Sequence, residues 1–183
     1  MLNRLSNFFY SLSTGWVTLI GLVVFVLFMI FVLPQQAQKA EAYSGGTSPD
    51  TSYIYSARDL YQMAEDYGAE GRAAYIYARF TFDLIFPLAY LLFLTTSISW
   101  LLARGLAETS RWRLLNLFPF AGAVFDYLEN ISTSLVLGRY PSQTPVVDVL
   151  APVFTLVKWF FVNGSFVLLI IACILFLWIR LRR

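Results

Sequence analysis

Four apolar runs, 16–33, 80–103, 114–137 and 150–179, constrain this chain more than any motif in it. A hydrocarbon core about 30 Å thick is crossed by about 20 residues of helix rising ~1.5 Å each, and every run meets that length. Stretches such as GLVVFVLFMIFVL and FVLLIIACILFLWI lack the polar–apolar alternation that a transmembrane barrel strand needs. The expectation is an all-α polytopic membrane protein, one domain over 1–183, folded as a four-transmembrane-helix up-and-down bundle in the lipid bilayer. Composition agrees, with 58% of residues hydrophobic and only 13% charged.

Charge placement orients the expected bundle. Arg4, Arg104, Arg111, Arg113, Arg180, Arg182 and Arg183 flank one set of span ends against a single acid there, Glu108. The segment 34–72 holds Lys39, Arg58 and Arg72 against Glu41, Asp50, Asp59, Glu65, Asp66 and Glu70. By the positive-inside rule both termini are expected on the cytoplasmic side of a plasma (inner) membrane, with 34–72 outside. Trp16, Trp100, Trp112 and Trp178 then fall at the inner interface, where aromatic belts form. Arg4, the first run and the triplet Ala40, Glu41, Ala42 have the outline of a secretory signal with its cleavage site, but the run is long for such a signal. A retained helix is expected.

Within 34–72, Pro34 and the following QQAQKAEAYSGGTSPDTS predict a polar, turn-rich connection. Ser56 and Asp59 then predict a capping-box-like start to a short outer-loop helix over 56–67, which Gly68 should end. Its Leu60, Tyr61, Ala64 and Tyr67 face could rest on bilayer or bundle, or act as a lid over an outward cavity.

The third run breaks its own apolar character at FDYLENISTS (125–134). Pro119, Gly122, Asp126, Glu129, Asn130 and Thr133 recur at spacings of three and four, which puts them on one helical stripe. At ~1.5 Å per residue from Leu114, Asp126 lies about 18 Å and Glu129 about 22 Å into a core of roughly 30 Å. Carboxylates at that depth require a cationic partner, a proton or water. Arg79, Asp83 and Tyr90 on the second run and Lys158 on the fourth supply neighbours, with Ser97 and with Thr155 and Ser165 on the same faces. Arg79, Asp83, Tyr90, Asp126, Glu129, Asn130 and Lys158 are therefore the candidate ligand or ion site, with three acids against two bases and one acid left over. A purely structural network that fixes helix packing would use the same residues.

Absences narrow the chemistry. No histidine occurs, which excludes an intrachain Ser-His-Asp triad, a His-ligated haem and a His-containing zinc site. The single cysteine, Cys173, cannot form an intrachain disulfide and its IIACILF setting predicts a buried apolar role. Phosphate loops, zincin helices and nucleophile elbows have no match. No metal, no cofactor and no nucleic-acid partner is expected, and the sequence leans away from an enzyme without excluding one. The reading is an outward-facing, carboxylate-rich polar site that binds a small molecule, cation or proton, with a lipid-like or aromatic amine ligand suited to its aromatics. The alternatives are a non-catalytic accessory or assembly subunit partnered with other membrane proteins, and a small enzyme using carboxylate acid-base chemistry on a lipid-like substrate.

Overall fold

A computed structural model describes residues 1–182, and among these the chain is helical nearly throughout, without strands. In order, the elements are α1 (Leu2–Leu12), α2 (Gly15–Leu27), a π turn (Phe28–Val32), α3 (Leu33–Ser44), a 3-10 turn (Pro49–Thr51), α4 (Ala57–Asp66) and α5 (Gly68–Arg79). A second series follows: α6 (Phe82–Gly105), a 3-10 stretch (Arg111–Leu117), α7 (Phe118–Arg139) and α8 (Val147–Leu181). Among the described residues three stretches are long and apolar enough to cross a membrane, Gly15–Ser44, Gly68–Gly105 and Val147–Leu181. The fourth expected span corresponds to α7, whose 22 residues include Asp126 and Glu129.

The segment 34–44 is helix, not the turn-rich connection its Pro34 suggests. Pro34 falls in the first turn of α3, directly after the π turn whose five-residue hydrogen-bond step accommodates it, and QQAQKAEA are good helix formers. The π turn just before it absorbs the mismatch between the two helical pieces. Gly68 does more than close the preceding helix. Its φ of +63° breaks the chain direction after α4, but α5 starts at that residue, with Glu70 in its first turn and Arg79 in its last. The helix α1, which no sequence signal announced, lies against α6 and the 3-10 stretch. Ser6 Oγ donates to Asn116 Oδ1 (2.8 Å), and Asn116 Nδ2 donates to the Ser6 carbonyl (3.2 Å) and to Ser99 Oγ (3.0 Å).

The short helix expected over 56–67 is present as α4, and its capping box forms as the residue types require. The Ser56 N–H and Ser56 Oγ–H both donate to Asp59 Oδ2 (2.8 Å each), while the Asp59 N–H donates to Ser56 Oγ (3.3 Å). The backbone hydrogen bond from Ser56, followed by that from its hydroxyl, holds the Asp59 carboxyl below its ordinary range. A depressed folded-state pKa adds stability above the unfolded value, and that contribution is lost as pH falls through the folded value. Amide exchange at residues 57–60 is therefore expected to accelerate relative to the rest of α4 only at acid pH, and Asp59→Asn should abolish that acid step. Equal pH profiles for the two proteins would contradict the capping assignment. Leu60, Met63, Ala64 and Tyr67 pack onto Val136, Leu137 and Ala151, so α4 rests on the ends of α7 and α8.

The helices α6, α7 and α8 pack against one another, and α2 lies along the outside of α6. Small residues permit the close approaches. A Cβ on Gly122 would stand 3.1 Å from Val162 Cγ2, one on Gly164 2.7 Å from Phe118 Cε1, and one on Gly21 3.2 Å from Phe93 Cα. All six stripe residues of α7 point inward and are buried. Val124, Leu128, Ile131 and Leu135 cover its exposed face. The same inversion holds on α8, where Ala151, Thr155, Lys158, Val162 and Ser165 are buried at spacings of three and four, while Val153, Leu156, Phe160 and Val167 face out. Cys173 is exposed, contrary to expectation, because it lies off that buried stripe.

Candidate functional site

All seven residues singled out from sequence converge between α6, α7, α8 and the end of α5. Arg79 closes α5 and Asp83 opens α6; their i,i+4 spacing lets the guanidinium meet the carboxylate in an ion pair. One turn and more further along α6, the Tyr90 hydroxyl donates to Asp126 Oδ2 (2.9 Å). Asn130 Nδ2 approaches the other Asp126 oxygen from one turn along α7 (3.4 Å). Lys158 of α8 pairs with Glu129 of α7. Both partners are enclosed, with side-chain exposures of 5% and 0%.

The structure adds partners that helical periodicity could not supply. Asp50, in the strap between α3 and α4, pairs with Arg79 and lies 3.8 Å from Lys158 Nζ. The strap is held by its own contacts. Trp159 Nε1 donates to the Asp50 carbonyl (3.2 Å) and Tyr53 packs on the Trp159 ring at 5.1 Å between centroids. The Tyr55 hydroxyl lies 2.9 Å from Thr155 Oγ1, which in turn donates to Glu129 Oε1 (2.7 Å). Because Thr155 spends its proton on Glu129, Tyr55 is the donor to Thr155. Burial pushes the Tyr55 phenol well above its usual range, so it keeps the proton that this chain requires. Tyr75 supports the network from α5: its hydroxyl donates to Thr133 Oγ1 (3.1 Å) and its ring lies 4.6 Å from the Arg79 guanidinium carbon. Asp50 and Tyr55 were missed from sequence because a loop has no period to place it.

Four acids, Asp50, Asp83, Asp126 and Glu129, thus share two bases, Arg79 and Lys158. Arg79 serves Asp50 and Asp83, and Lys158 serves Glu129. Asp126 is the acid left over: among the described residues its partners are a phenol and an amide, with no ion-pair partner. It is 9% exposed, and what it faces is a cavity of about 440 Å³. Phe25, Phe86, Tyr90, Trp159 and Phe166 form much of the aromatic wall, with Arg79, Asp83 and Lys158 at the polar end. Glu129 lies behind Lys158, outside the lining. Among the described residues no three of Asp, Glu, Cys and His are grouped as a metal site would need. Such an arrangement can hold positive charge beside an aromatic surface, because a carboxylate with no ion-pair partner in contact, in a lining where acids outnumber bases, attracts a cation in a low-dielectric wall. No family model matches the chain, nor does any curated protein or any solved structure.

Proposed function

We propose that the protein is a four-span integral membrane protein, with both termini on the cytoplasmic side of a plasma or inner membrane, that binds a small positively charged molecule at Asp126. The observation that carries this reading is Asp126 itself, a buried carboxylate with only neutral partners on the wall of a 440 Å³ cavity. Charge left unbalanced away from water is costly, so a site with two more acids than bases favours uptake of positive charge. A proton alone needs no cavity. The volume lies in the range of small-molecule sites, roughly 300–1,000 Å³, and aromatic walls suit an organic ammonium.

The fourth span is α7, long enough at ~1.5 Å per residue for a core of roughly 30 Å, with polar residues inward and large apolar residues outward. Orientation rests on the arginine-rich ends, which also carry the exposed Trp16, Trp112 and Trp178. Large apolar side chains on the exposed faces of α7 and α8 favour contact with lipid over contact with a partner subunit, whose docking face would carry small or polar residues.

The test is thermal stabilisation of the protein in nanodiscs by a panel of organic ammonium compounds, wild type beside Asp126→Asn. At least one compound is expected to stabilise the wild type, and Asp126→Asn to weaken its binding at least about tenfold, roughly 1.4 kcal/mol. Asp126→Asn keeps the shape and the acceptor for Tyr90, so its fold should survive. Equal responses from both proteins, or none from the wild type, would sink the reading.

A further inference from the structure

The cavity at Asp126 does not end in solvent alone. The upper half of the first long helix is held differently from the lower: α2 packs tightly on α6 at Gly21 and through Phe25 stacked on Phe93 at 5.0 Å, whereas α3 buries no residue and meets the bundle near its end, where Tyr43 packs against Gly71 and lies 5.4 Å from the Tyr67 ring. The π turn and Pro34 lie at the point where the two halves part. Between this upper half and the α5–α6 junction runs a groove of about 870 Å³. Its lining is mostly apolar, including Phe28, Val32, Phe80, Leu84 and Ile85, the last three more than half exposed. Gln36, Ala40, Tyr43, Ala78 and Phe82 line both groove and cavity, so the two spaces adjoin.

We infer that the ligand is a membrane-resident long-chain amine, which passes from the hydrocarbon into the protein along this groove and comes to rest with its ammonium at Asp126 and its chain between α3 and the α5–α6 junction. This rests on the proposed binding of positive charge at Asp126 and adds the ligand's tail and its route. Two features fix which end goes where. The charge lining the groove is Lys39, which repels an ammonium, whereas the cavity beyond is lined by Asp50, Asp83 and Asp126 against Arg79 and Lys158, one carboxylate in excess. Phe28, Val32, Phe80, Leu84 and Ile85 lie within the first and second expected spans, so along that part of the groove a chain keeps apolar surroundings while the head gains a counter-charge. A soluble amine would need no such groove on the lipid side.

The experiment uses the full chain in nanodiscs and a dodecylamine with a photoreactive diazirine at the tail end. After irradiation, labelled residues are mapped by mass spectrometry. Adducts are expected on the groove-lining residues within 80–85 and 28–36, displaced by excess dodecylamine or butylamine but not by dodecanol, and lost in Asp126→Asn. Ala74→Trp, at a residue that lines the groove but not the cavity, should lose the groove adducts while still responding thermally to butylamine. Adducts confined to the outer faces of α7 and α8, or displacement by dodecanol as effective as by the amine, overturn the inference. So does crosslinking of a second copy through the groove. If Asp126→Asn abolishes butylamine binding while the adducts lie elsewhere, the charge site stands and the lateral route falls. If Asp126→Asn changes neither binding nor labelling, the charge site itself is wrong.

Discussion

Replacing Lys158 with methionine is expected to destabilise the folded protein by roughly 3–5 kcal/mol, the cost of leaving an enclosed charge without its partner. The magnitude follows from geometry more than from the attraction itself. Glu129 is fully enclosed and its second oxygen, Oε2, has no hydrogen bond beyond the lysine pairing, while Thr155 satisfies only Oε1. Methionine fills most of the lysine stem's volume, which removes cavity formation as the cause. The double variant Lys158→Met with Glu129→Gln should recover most of the loss, since an amide can still accept from Thr155 and carries no charge to strand. Unfolding titrations in one detergent, at low and high salt, give the four stabilities of the cycle; the coupling should be insensitive to salt because neither group is exposed to screening. A single-variant loss below about 1 kcal/mol, the usual scale of a polar pair within a membrane, would show that the pair contributes packing and little else. Failure of Glu129→Gln to rescue would place the cost elsewhere.

How much of this site was legible without coordinates divides along one physical line. The residues on helices were readable because burial repeats every three or four positions. Asp126, Glu129 and Asn130 on α7, Asp83 and Tyr90 on α6, and Lys158 with Thr155 on α8 all face inward as their spacing requires. Even the surplus of acid over base was countable, though which acid lacked a partner was not. Asp50 was hidden because nothing in Ser48, Pro49, Asp50 says where a strap lands after the chain leaves α3. Once Asp50 is added, the surplus becomes two, and Arg79 is occupied twice while Asp126 stands apart. The misplaced end of the first long helix has a different origin. Pro34 reads as a stop, yet a proline in the first turn of a helical piece is tolerated, and a π turn immediately before it is a local adjustment that no periodicity announces. The groove beside that helix was therefore illegible as well.

Arg79 ties the strap to the bundle, and its removal should show there first. The guanidinium Nη1 meets both Asp50 and Asp83, and the ring of Tyr75 supports it from below. Arg79→Met strands two carboxylates, but Asp50 has 23% of its side chain exposed and can turn to water, so the loss is expected at the lower end of the buried-pair range, about 3 kcal/mol. Asp83, at 11%, has less freedom and accounts for most of it. The local consequence is larger than the global one. With the 3.8 Å approach to Lys158, the Tyr67 hydroxyl on the Thr47 carbonyl and the contacts of Tyr53, Tyr55 and Trp159 left to hold it, the strap over residues 46–56 should open without the bundle unfolding. Hydrogen exchange read by mass spectrometry should show faster exchange in that segment while α7 and α8 keep their protection. Arg79→Lys distinguishes charge from shape. Both carboxylates meet the same nitrogen, so one ammonium with three donors can serve both, and the lysine variant should retain most of the strap's protection. Equal exchange in wild type and Arg79→Met would mean that Asp50 is held by Trp159 and Lys158 alone. Equal loss in the methionine and lysine variants would mean that the planar guanidinium against Tyr75, and not its charge, is what closes the site.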